Sequence, residues 1–332
     1  MNLDDLSSFA ALDSADFLRH INALPNQLED AWRLAADQPL PRSGPSLRQI
    51  VILGMGGSAI GASLLEAFAA PRSPAAISVV RGYNLPAHVA GPETLVVASS
   101  HSGDTEETLS AFEQAAGRGV QLLAITTGGK LAQRAEAIGA PVWRFEYDAP
   151  PRAVVGYSFG LLLALLVRLN LLPLSVVAEL AGAIAALREQ MQSIGAASPV
   201  VHNPAKRMAG QLMGRVITFY AADLLAPVAR RWKGQMNEVA KTYAVFEELP
   251  EADHNAVVGT CYPEELTGKH MALFLRAPSN HPRNLLRLEA TRHLLMVNGF
   301  NTDFVDAAGP SPLAHLLTAL HFGDFVAYYL AM

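Results

Sequence analysis

Two short loops rich in glycine and hydroxyl side chains hold the residues of this sequence best suited to chemistry. The first, residues 54–61 (Gly-Met-Gly-Gly-Ser-Ala-Ile-Gly), follows the apolar run 50–53, and the second, residues 100–105 (Ser-His-Ser-Gly-Asp-Thr), follows the apolar run 95–98. Each loop leads into a helical pattern, where backbone N–H groups and the positive end of the helix dipole favour an anion. Two such loops predict one phosphate group bound from two sides. The residues expected to bind it are Gly56, Gly57, Ser58, Ser100, Ser102 and Thr105.

Both loops are open to other interpretations. The pattern Gly-x-Gly-x-x-Ala over residues 54–59 also satisfies the looser fingerprint of a dinucleotide site. That fingerprint includes an acidic residue about 20 positions on, whereas the next strand ends in Arg81, which would suit only a 2′-phosphate. The glycines are equally compatible with a tight turn, and Asp104 with Glu107 resembles a capping box that would serve only the helix start.

The elements that position these loops follow from the apolar pattern. Residues 3–37 have helical spacing and are followed by a proline-rich break at 39–45, so residues 1–45 are predicted to form a helical N-terminal arm. Short apolar runs then alternate with helical stretches, which predicts an α/β fold with two doubly wound parallel sheets. The predicted domains are 46–170 and 171–332. The runs lie at 50–53, 77–80, 94–98, 120–125, 142–145, 216–220, 272–275 and 303–306.

Composition excludes several other classes of protein. A chain of 332 residues that is 51% hydrophobic and 17% charged is globular and long enough for two domains. A net charge of −5 without a basic run argues against a nucleic-acid partner. Cys261 is the single cysteine, which excludes an internal disulfide and is expected to be a small buried residue in a cytoplasmic protein. The acidic start lacks the features of a signal peptide. The apolar run 153–167 is too short to span a membrane and is predicted to form a buried core helix.

Five motifs together resemble the bifunctional phosphoglucose/phosphomannose isomerases of the sugar isomerase (SIS) domain superfamily. They are 54–61, 100–108, 151–157 (Pro-Arg-Ala-x-x-Gly-Tyr), 233–241 (Lys-x-Gln-x-Asn-Glu-x-Ala-Lys) and 250–255 (Pro-Glu-x-x-His-Asn). The resemblance implies two SIS-type domains, a homodimer, a hexose 6-phosphate substrate and no cofactor. It also implies interconversion of glucose 6-phosphate or mannose 6-phosphate with fructose 6-phosphate through an enediol. A phosphosugar-binding or sensory protein with weak catalysis is the alternative.

The resemblance implies a role for three further residues. Glu238 matches the base that moves a proton between C1 and C2; a salt bridge to Lys241 is the structural alternative. Arg152 is expected to stabilise the enediolate, with an ion pair near a helix start as the alternative. His254 matches the ring-opening residue and is expected to act across the dimer interface. The sequence has neither a His-x-x-x-His pair beside a carboxylate motif nor a Gly-x-Ser-x-Gly elbow, so no metal site is predicted.

The C-terminal end departs from the family pattern. In the family a lysine-bearing segment normally follows the helix that matches residues 316–331, whereas this sequence closes at Met332. We therefore expect slow turnover of the cyclic sugar, with the steps on the open-chain sugar largely intact.

Overall fold

Helices and parallel strands alternate along the chain, as the apolar runs predict. The computed structural model describes residues 2–41, 46–260 and 262–332. The first elements are α1 (Phe9–Leu12), α2 (Phe17–Asn22), α3 (Leu24–Ala36), β1 (Gln49–Leu53), α4 (Gly56–Ala69), β2 (Ala76–Val80), β3 (Thr94–Ser100), α5 (Glu106–Ala116), β4 (Gln121–Thr126), α6 (Gly129–Ala137), β5 (Val142–Arg144) and α7 (Val155–Arg168). The others are α8 (Ser175–Ile194), α9 (Pro204–Leu212), β6 (Val216–Ala222), α10 (Ala226–Glu238), β7 (Ala244–Leu249), β8 (His270–Arg276), α11 (Pro282–Val297), β9 (Asn301–Asp306) and α12 (Pro312–Ala331).

The chain divides into two compact units. The first unit is Ala23–Val176, and the second combines the N-terminal residues up to Asn22 with Val177–Met332. The predicted arm is helical, but α3 belongs to the first unit, whereas α1 and α2 belong to the second. The predicted domains, 46–170 and 171–332, are segments expected to fold on their own. These bounds stay a prediction. Residues 42–45 of the predicted break and Cys261 lie outside the described residues.

The first unit contains a parallel sheet with the strand order β2-β1-β3-β4-β5. The middle strands are buried, β3 along its whole length, because helices cover a parallel sheet. β2 lies on one side of β1, and every later strand lies on the other. The chain therefore changes direction between β1 and β3, which makes that point the topological switch point of the sheet.

The apolar helix α7 forms part of the core of the first unit. Its residues from Val155 to Val167 are all buried, which confirms the prediction of a buried core helix. Glycines allow close packing on two sides, since a Cβ atom at Gly160 would lie 2.8 Å from Ala31 of α3 and one at Gly61 of α4 would lie 2.7 Å from Ser158. No helix within the described residues combines the length and apolarity needed to cross a membrane.

The second unit repeats this topology with four parallel strands in the order β7-β6-β8-β9. The predicted fold class, α/β with two parallel sheets, is confirmed. The apolar pattern does not reveal β7, since its residues Glu247 and Glu248 interrupt the apolar run. An edge strand keeps one side in contact with solvent, which explains its polar residues.

Candidate active site

The two predicted phosphate loops lie side by side at the switch point of the first sheet. β1 and β3 pair in parallel, with Leu53 opposite Ala98, so the loops that follow them begin at the same edge. Ligands of open α/β sheets bind in the crevice at this point, beyond the carboxyl ends of the strands. The structure therefore brings all six predicted phosphate residues to one edge of one sheet.

The first loop leaves the N-terminus of α4 without a side-chain cap. α4 begins at Gly56, whose φ of +50° is a left-handed conformation that suits glycine. Met55, at the N-cap position, makes no capping hydrogen bond through its side chain. Ser58 lies in the same first turn and is buried. Such a helix start offers backbone N–H groups and a positive dipole end to an anion.

The turn that carries Arg152 rests directly on this first loop. A Cβ atom at Gly57 would lie 2.2 Å from the carbonyl oxygen of Pro151 and 3.2 Å from the backbone nitrogen of Arg152, so only glycine allows this approach. Arg152 belongs to the 3-10 turn Pro151–Ala153, which precedes α7. The structure thus places Arg152 next to the predicted phosphate loops. Gly57 must be glycine to allow this packing, in addition to its predicted contact with phosphate.

The second loop is organised by its own hydroxyl groups. The Ser100 hydroxyl accepts the backbone N–H of Gly103 at 3.1 Å and lies 3.0 Å from the Thr105 hydroxyl. Ser100 is buried, whereas Ser102 is exposed and accepts the N–H of Asp104 at 3.2 Å. Ser100 therefore holds the loop in shape, and Ser102 lies where a ligand can reach it.

The predicted capping box at Asp104 and Glu107 is wrong. α5 begins at Glu106 with Thr105 as its N-cap residue, one position later than that pairing requires. The Asp104 carboxylate instead accepts the backbone N–H of Lys130, 3.1 Å away in the first turn of α6. Asp104 thus caps a different helix, which leaves the start of α5 without a side-chain cap.

Aromatic residues pack against the second loop and stabilise it. The sequence motifs did not identify them. The Nε2 atom of His101 lies 3.0 Å from the carbonyl oxygen of Tyr147, and its ring lies 5.8 Å from that of Phe145. Phe145 stacks on Tyr157 at 5.1 Å. Burial, followed by the nearby carboxylate of Asp30, raises the pKa of Tyr157 to about 12, so this phenol stays neutral. Only the position of His101 between Ser100 and Ser102 hinted at this packing.

Arg81 packs onto α4 in a way that argues against the dinucleotide interpretation. Its guanidinium donates to the Ala59 carbonyl at 3.2 Å and to the Ser63 hydroxyl. The dinucleotide interpretation depended on Arg81 to bind a 2′-phosphate. These contacts instead give Arg81 a structural function.

Glu238, the predicted base, is the last residue of α10 and is exposed. The end of the helix is fixed by its neighbours. The Asn237 amide donates to the Thr242 carbonyl at 2.9 Å, and the Lys241 ammonium donates to the backbone carbonyl of Glu238 at 2.6 Å. Lys241 has a φ of +54° and serves as a cation at the helix C-terminus, where the dipole favours it.

A buried network anchors α10 to α12. The Nε and Nη2 atoms of Arg231 donate to the two oxygens of the Asp324 carboxylate, at 3.0 and 2.7 Å, and the Gln235 amide donates to the same carboxylate at 2.9 Å. All three side chains are at most 5% exposed. The Trp232 indole N–H donates to the Ala319 carbonyl at 2.9 Å. Since Gln235 lies one turn before the helix end, this network fixes the part of α10 that carries Glu238.

His254, the predicted ring-opening residue, is exposed on a short 3-10 turn, Glu251–His254, after β7. Ala252 packs in the core of the second unit. The Asp253 carboxylate accepts hydrogen bonds from Arg287 at 2.9 Å and from Thr291 at 2.7 Å. The turn is therefore held firmly on α11 while the imidazole remains accessible.

Glu238 and His254 lie at opposite ends of β7. Residues 239–243 connect α10 to the first residue of the strand, and Pro250 connects its last residue to the turn with His254. β7 has six residues, so at about 3.3 Å per residue its ends are about 16 Å apart. The strand therefore lies between the segments that carry these two residues.

A large cavity in the second unit involves neither residue. Its volume is about 930 Å³, and it lies beside β9. Lining residues include Glu189, Arg207, Met208, Asp303, Phe304 and Phe322. None of the predicted site residues contributes to it.

Relatives of known name decide the family. Residues 201–332 match the model of the bacterial phospho-glucose isomerase C-terminal SIS domain. The chain is 37% identical over 313 residues to the bifunctional phosphoglucose/phosphomannose isomerase of Caldicellulosiruptor bescii, covering 93% of this chain and 91% of that protein. The chain belongs to the bifunctional phosphoglucose/phosphomannose isomerase family. The resemblance inferred from the five motifs is thereby confirmed.

Further relatives include a second isomerase of this family and a protein of a different name, and a solved structure shares the fold. The enzyme of the same name from Aquifex aeolicus is 36% identical over 92% of this chain and 89% of its own. A relative from Sulfolobus acidocaldarius, 30% identical over 69% of this chain and 70% of its own, is named D-glucosamine-6-phosphate 4-epimerase. The C-terminal domain of glucosamine-fructose-6-phosphate aminotransferase from Francisella tularensis shares the fold, with a TM-score of 0.72, 14% identity and 95% of each chain covered.

Proposed function

We propose that this chain interconverts glucose 6-phosphate or mannose 6-phosphate with fructose 6-phosphate. Membership of the isomerase family supports this reaction. The observation that carries the proposal is the pair of glycine and hydroxyl loops at one switch point, with the Arg152 turn resting on Gly57. This arrangement supports a phosphate site with the backbone of a cationic residue beside it, as a phosphosugar enediolate requires.

The phosphate is bound by the two loops in this proposal. Backbone N–H groups of Gly56 and Gly57 and the hydroxyls of Ser58, Ser102 and Thr105 donate to its oxygens, while Ser100 keeps the second loop in shape. Hydrogen bonds to a charged group contribute about 1.5–3 kcal/mol each. The phosphate thus fixes the sugar so that its first two carbons are presented for reaction.

Glu238 moves the proton. It removes the proton from C2 of the open-chain aldose, the C–H electron pair forms the C1–C2 double bond, and the C1 oxygen takes up negative charge. A proton passes from the C2 hydroxyl to the C1 oxygen. The same carboxylic acid then returns its proton to C1, and the C2 oxygen becomes the carbonyl of fructose 6-phosphate. Arg152 stabilises the enediolate oxygens by its charge.

His254 opens the sugar ring in the site of a second copy of this chain. The length of β7 supports this assignment, because Glu238 precedes the strand and His254 follows it, and the two ends of the strand are about 16 Å apart. The exposed side chains of Val258 and Tyr262, close to His254 in sequence, are consistent with a homodimer contact there. The proposed assembly is therefore a homodimer that shares its catalytic groups.

The proposed reaction is tested with purified protein and fructose 6-phosphate. Glucose 6-phosphate and mannose 6-phosphate are quantified separately, and deuterium from the solvent is followed into C1. Isomerisation with deuterium uptake is expected, because the proton passes through a group that exchanges with water. Binding without turnover or exchange would favour the phosphosugar-binding alternative, and a product epimerised at C4 would identify a different activity.

The role of Glu238 is tested with Glu238→Gln. Glutamine keeps the shape but accepts no proton, so turnover should fall by at least about 10², while fructose 6-phosphate still binds. Glu265→Gln, at an exposed position of the same unit, is the control and should leave both unchanged. Normal turnover of Glu238→Gln would assign this residue to structure.

Mixed dimers test the position of His254. Neither Glu238→Gln nor His254→Ala is active alone in this proposal, but a hybrid dimer has one site with both natural groups. Random exchange of subunits should restore about a quarter of the sites. No recovery after confirmed exchange would exclude a contribution of His254 across the interface.

A further inference from the structure

Gln27 of α3 makes two hydrogen bonds that hold the segment around Arg152. Its side-chain amide donates to the Ala153 carbonyl at 2.8 Å, and its side-chain oxygen accepts the backbone N–H of Gly156 at 3.1 Å. Gln27 is 1% exposed, so both bonds are shielded from water. A buried amide with both ends engaged fixes its partners in distance and direction.

The start of α7 depends on this distant side chain. The first N–H groups of a helix have no partner within the helix, and Val154, the N-cap residue of α7, makes no capping bond through its side chain. Gln27 supplies the acceptor instead, from 129 positions earlier in the chain. Gly156 makes room for it, since a Cβ atom there would lie 2.5 Å from the Cβ of Gln27. The glycine of the motif 151–157 thus has a packing function.

Arg152 lies between two fixed points. On one side its turn rests on Gly57, and on the other the next residue, Ala153, is bonded to Gln27. We propose that Gln27 is a positioning residue that aims the Arg152 guanidinium at the enediolate. This inference rests on the proposed role of Arg152. It gives α3, part of the predicted N-terminal arm, a direct link to the reaction.

A purely structural role for Gln27 makes a different prediction. A residue that only stabilises the fold would lower Tm without changing kcat of the folded enzyme. A positioning residue lowers kcat through Arg152, so its effect disappears once Arg152 is absent. A double-mutant cycle on kcat therefore separates the two roles.

The cycle compares the natural enzyme, Gln27→Leu, Arg152→Ala and the double variant with fructose 6-phosphate. Gln27→Leu should lower kcat by about 10- to 100-fold, because a shift of about 1 Å in a group near the reacting atoms has effects of this size. KM should change by less than about threefold, since the phosphate loops are untouched. In the Arg152→Ala background Gln27→Leu should have no further effect on kcat.

Two glycine variants provide a matched pair that does not depend on Gln27→Leu folding. Gly156→Ala pushes on Gln27, whereas Gly160→Ala strains the same helix pair one turn further on, with its Cβ 2.8 Å from Ala31. Both should lower Tm, but only Gly156→Ala should lower kcat and speed amide hydrogen exchange in the peptide 150–157.

The outcomes separate this inference from the proposed function. Normal kcat in Arg152→Ala would refute the role of Arg152 and the inference with it. A loss in Arg152→Ala together with normal kcat in Gln27→Leu and Gly156→Ala would refute the inference alone. Equal losses for Gln27→Leu in both backgrounds would also refute it.

Discussion

Replacing Gly57 by alanine tests whether the Arg152 turn must rest on the first phosphate loop. The new Cβ atom would lie 2.2 Å from the carbonyl oxygen of Pro151. Carbon–oxygen contacts in proteins are about 3.3 Å or longer, so one partner must move by about 1 Å. α4 is buried from Ser58 to Leu65, whereas Pro151 is exposed. We therefore expect the turn to move and to carry Arg152 away from the loops.

The size of the effect follows from this displacement. A misplacement of about 1 Å can cost about 10² in rate, so kcat with fructose 6-phosphate should fall by about that factor. Alanine keeps the backbone N–H that is proposed to bind phosphate, so KM should change by less than about threefold. Initial rates over a range of fructose 6-phosphate concentrations, with glucose 6-phosphate and mannose 6-phosphate measured as products, separate the two constants.

Gly61→Ala is the matched control for this experiment. It lies on the same helix, and its Cβ would come within 2.7 Å of Ser158 on α7, and none of its three nearest atoms belongs to the Arg152 turn. Overpacking of this kind costs about 1–3 kcal/mol, so Tm should fall while kcat is retained. A normal kcat in Gly57→Ala, or an equal loss in both variants, would refute the reasoning.

Three further predictions concern other parts of the structure. Ser100→Ala should lower Tm and should lower the affinity for fructose 6-phosphate by about tenfold or more, because the buried backbone N–H of Gly103 loses its acceptor. Ser102→Ala should lower only the affinity. Equal Tm values of the two variants in calorimetry would contradict this difference. Asp324→Asn should cost about 3 kcal/mol in urea unfolding because Arg231 stays charged and buried; a loss below about 1 kcal/mol would show that the pair is dispensable. Burial lowers the pKa of His321 from 6.5 to about 4. Between these two pH values the unfolded chain binds more protons than the folded chain, so the free energy of unfolding falls by up to about 3 kcal/mol as the pH drops from 6.5 to 4. His321→Leu should flatten this dependence in urea titrations, and an unchanged slope would show that His321 does not cause it.

Local patterns in the sequence predicted most of the strands of the fold. The runs at 50–53 and 94–98 became β1 and β3 because a strand buried on both faces is apolar along its length, whatever its neighbours are. β7 escaped notice since an edge strand with Glu247 and Glu248 lacks this pattern. The capping box failed because two helices start close to Asp104, and only the fold decides that Lys130 receives its hydrogen bond.

The sequence by itself determined the family and the parallel sheets, and it predicted the two loops proposed to bind phosphate, because glycine, hydroxyl side chains and apolar runs act over a few neighbouring residues. The tertiary structure decided which of these features meet. Gly57 lies against Pro151, and Gln27 accepts the N–H of Gly156, 129 positions later. The spacing of these residues in the sequence does not predict either contact. The structure also decided that β7 separates Glu238 from His254. Contacts between distant segments depend on how helices pack on the sheet, and packing is a property of the folded chain alone.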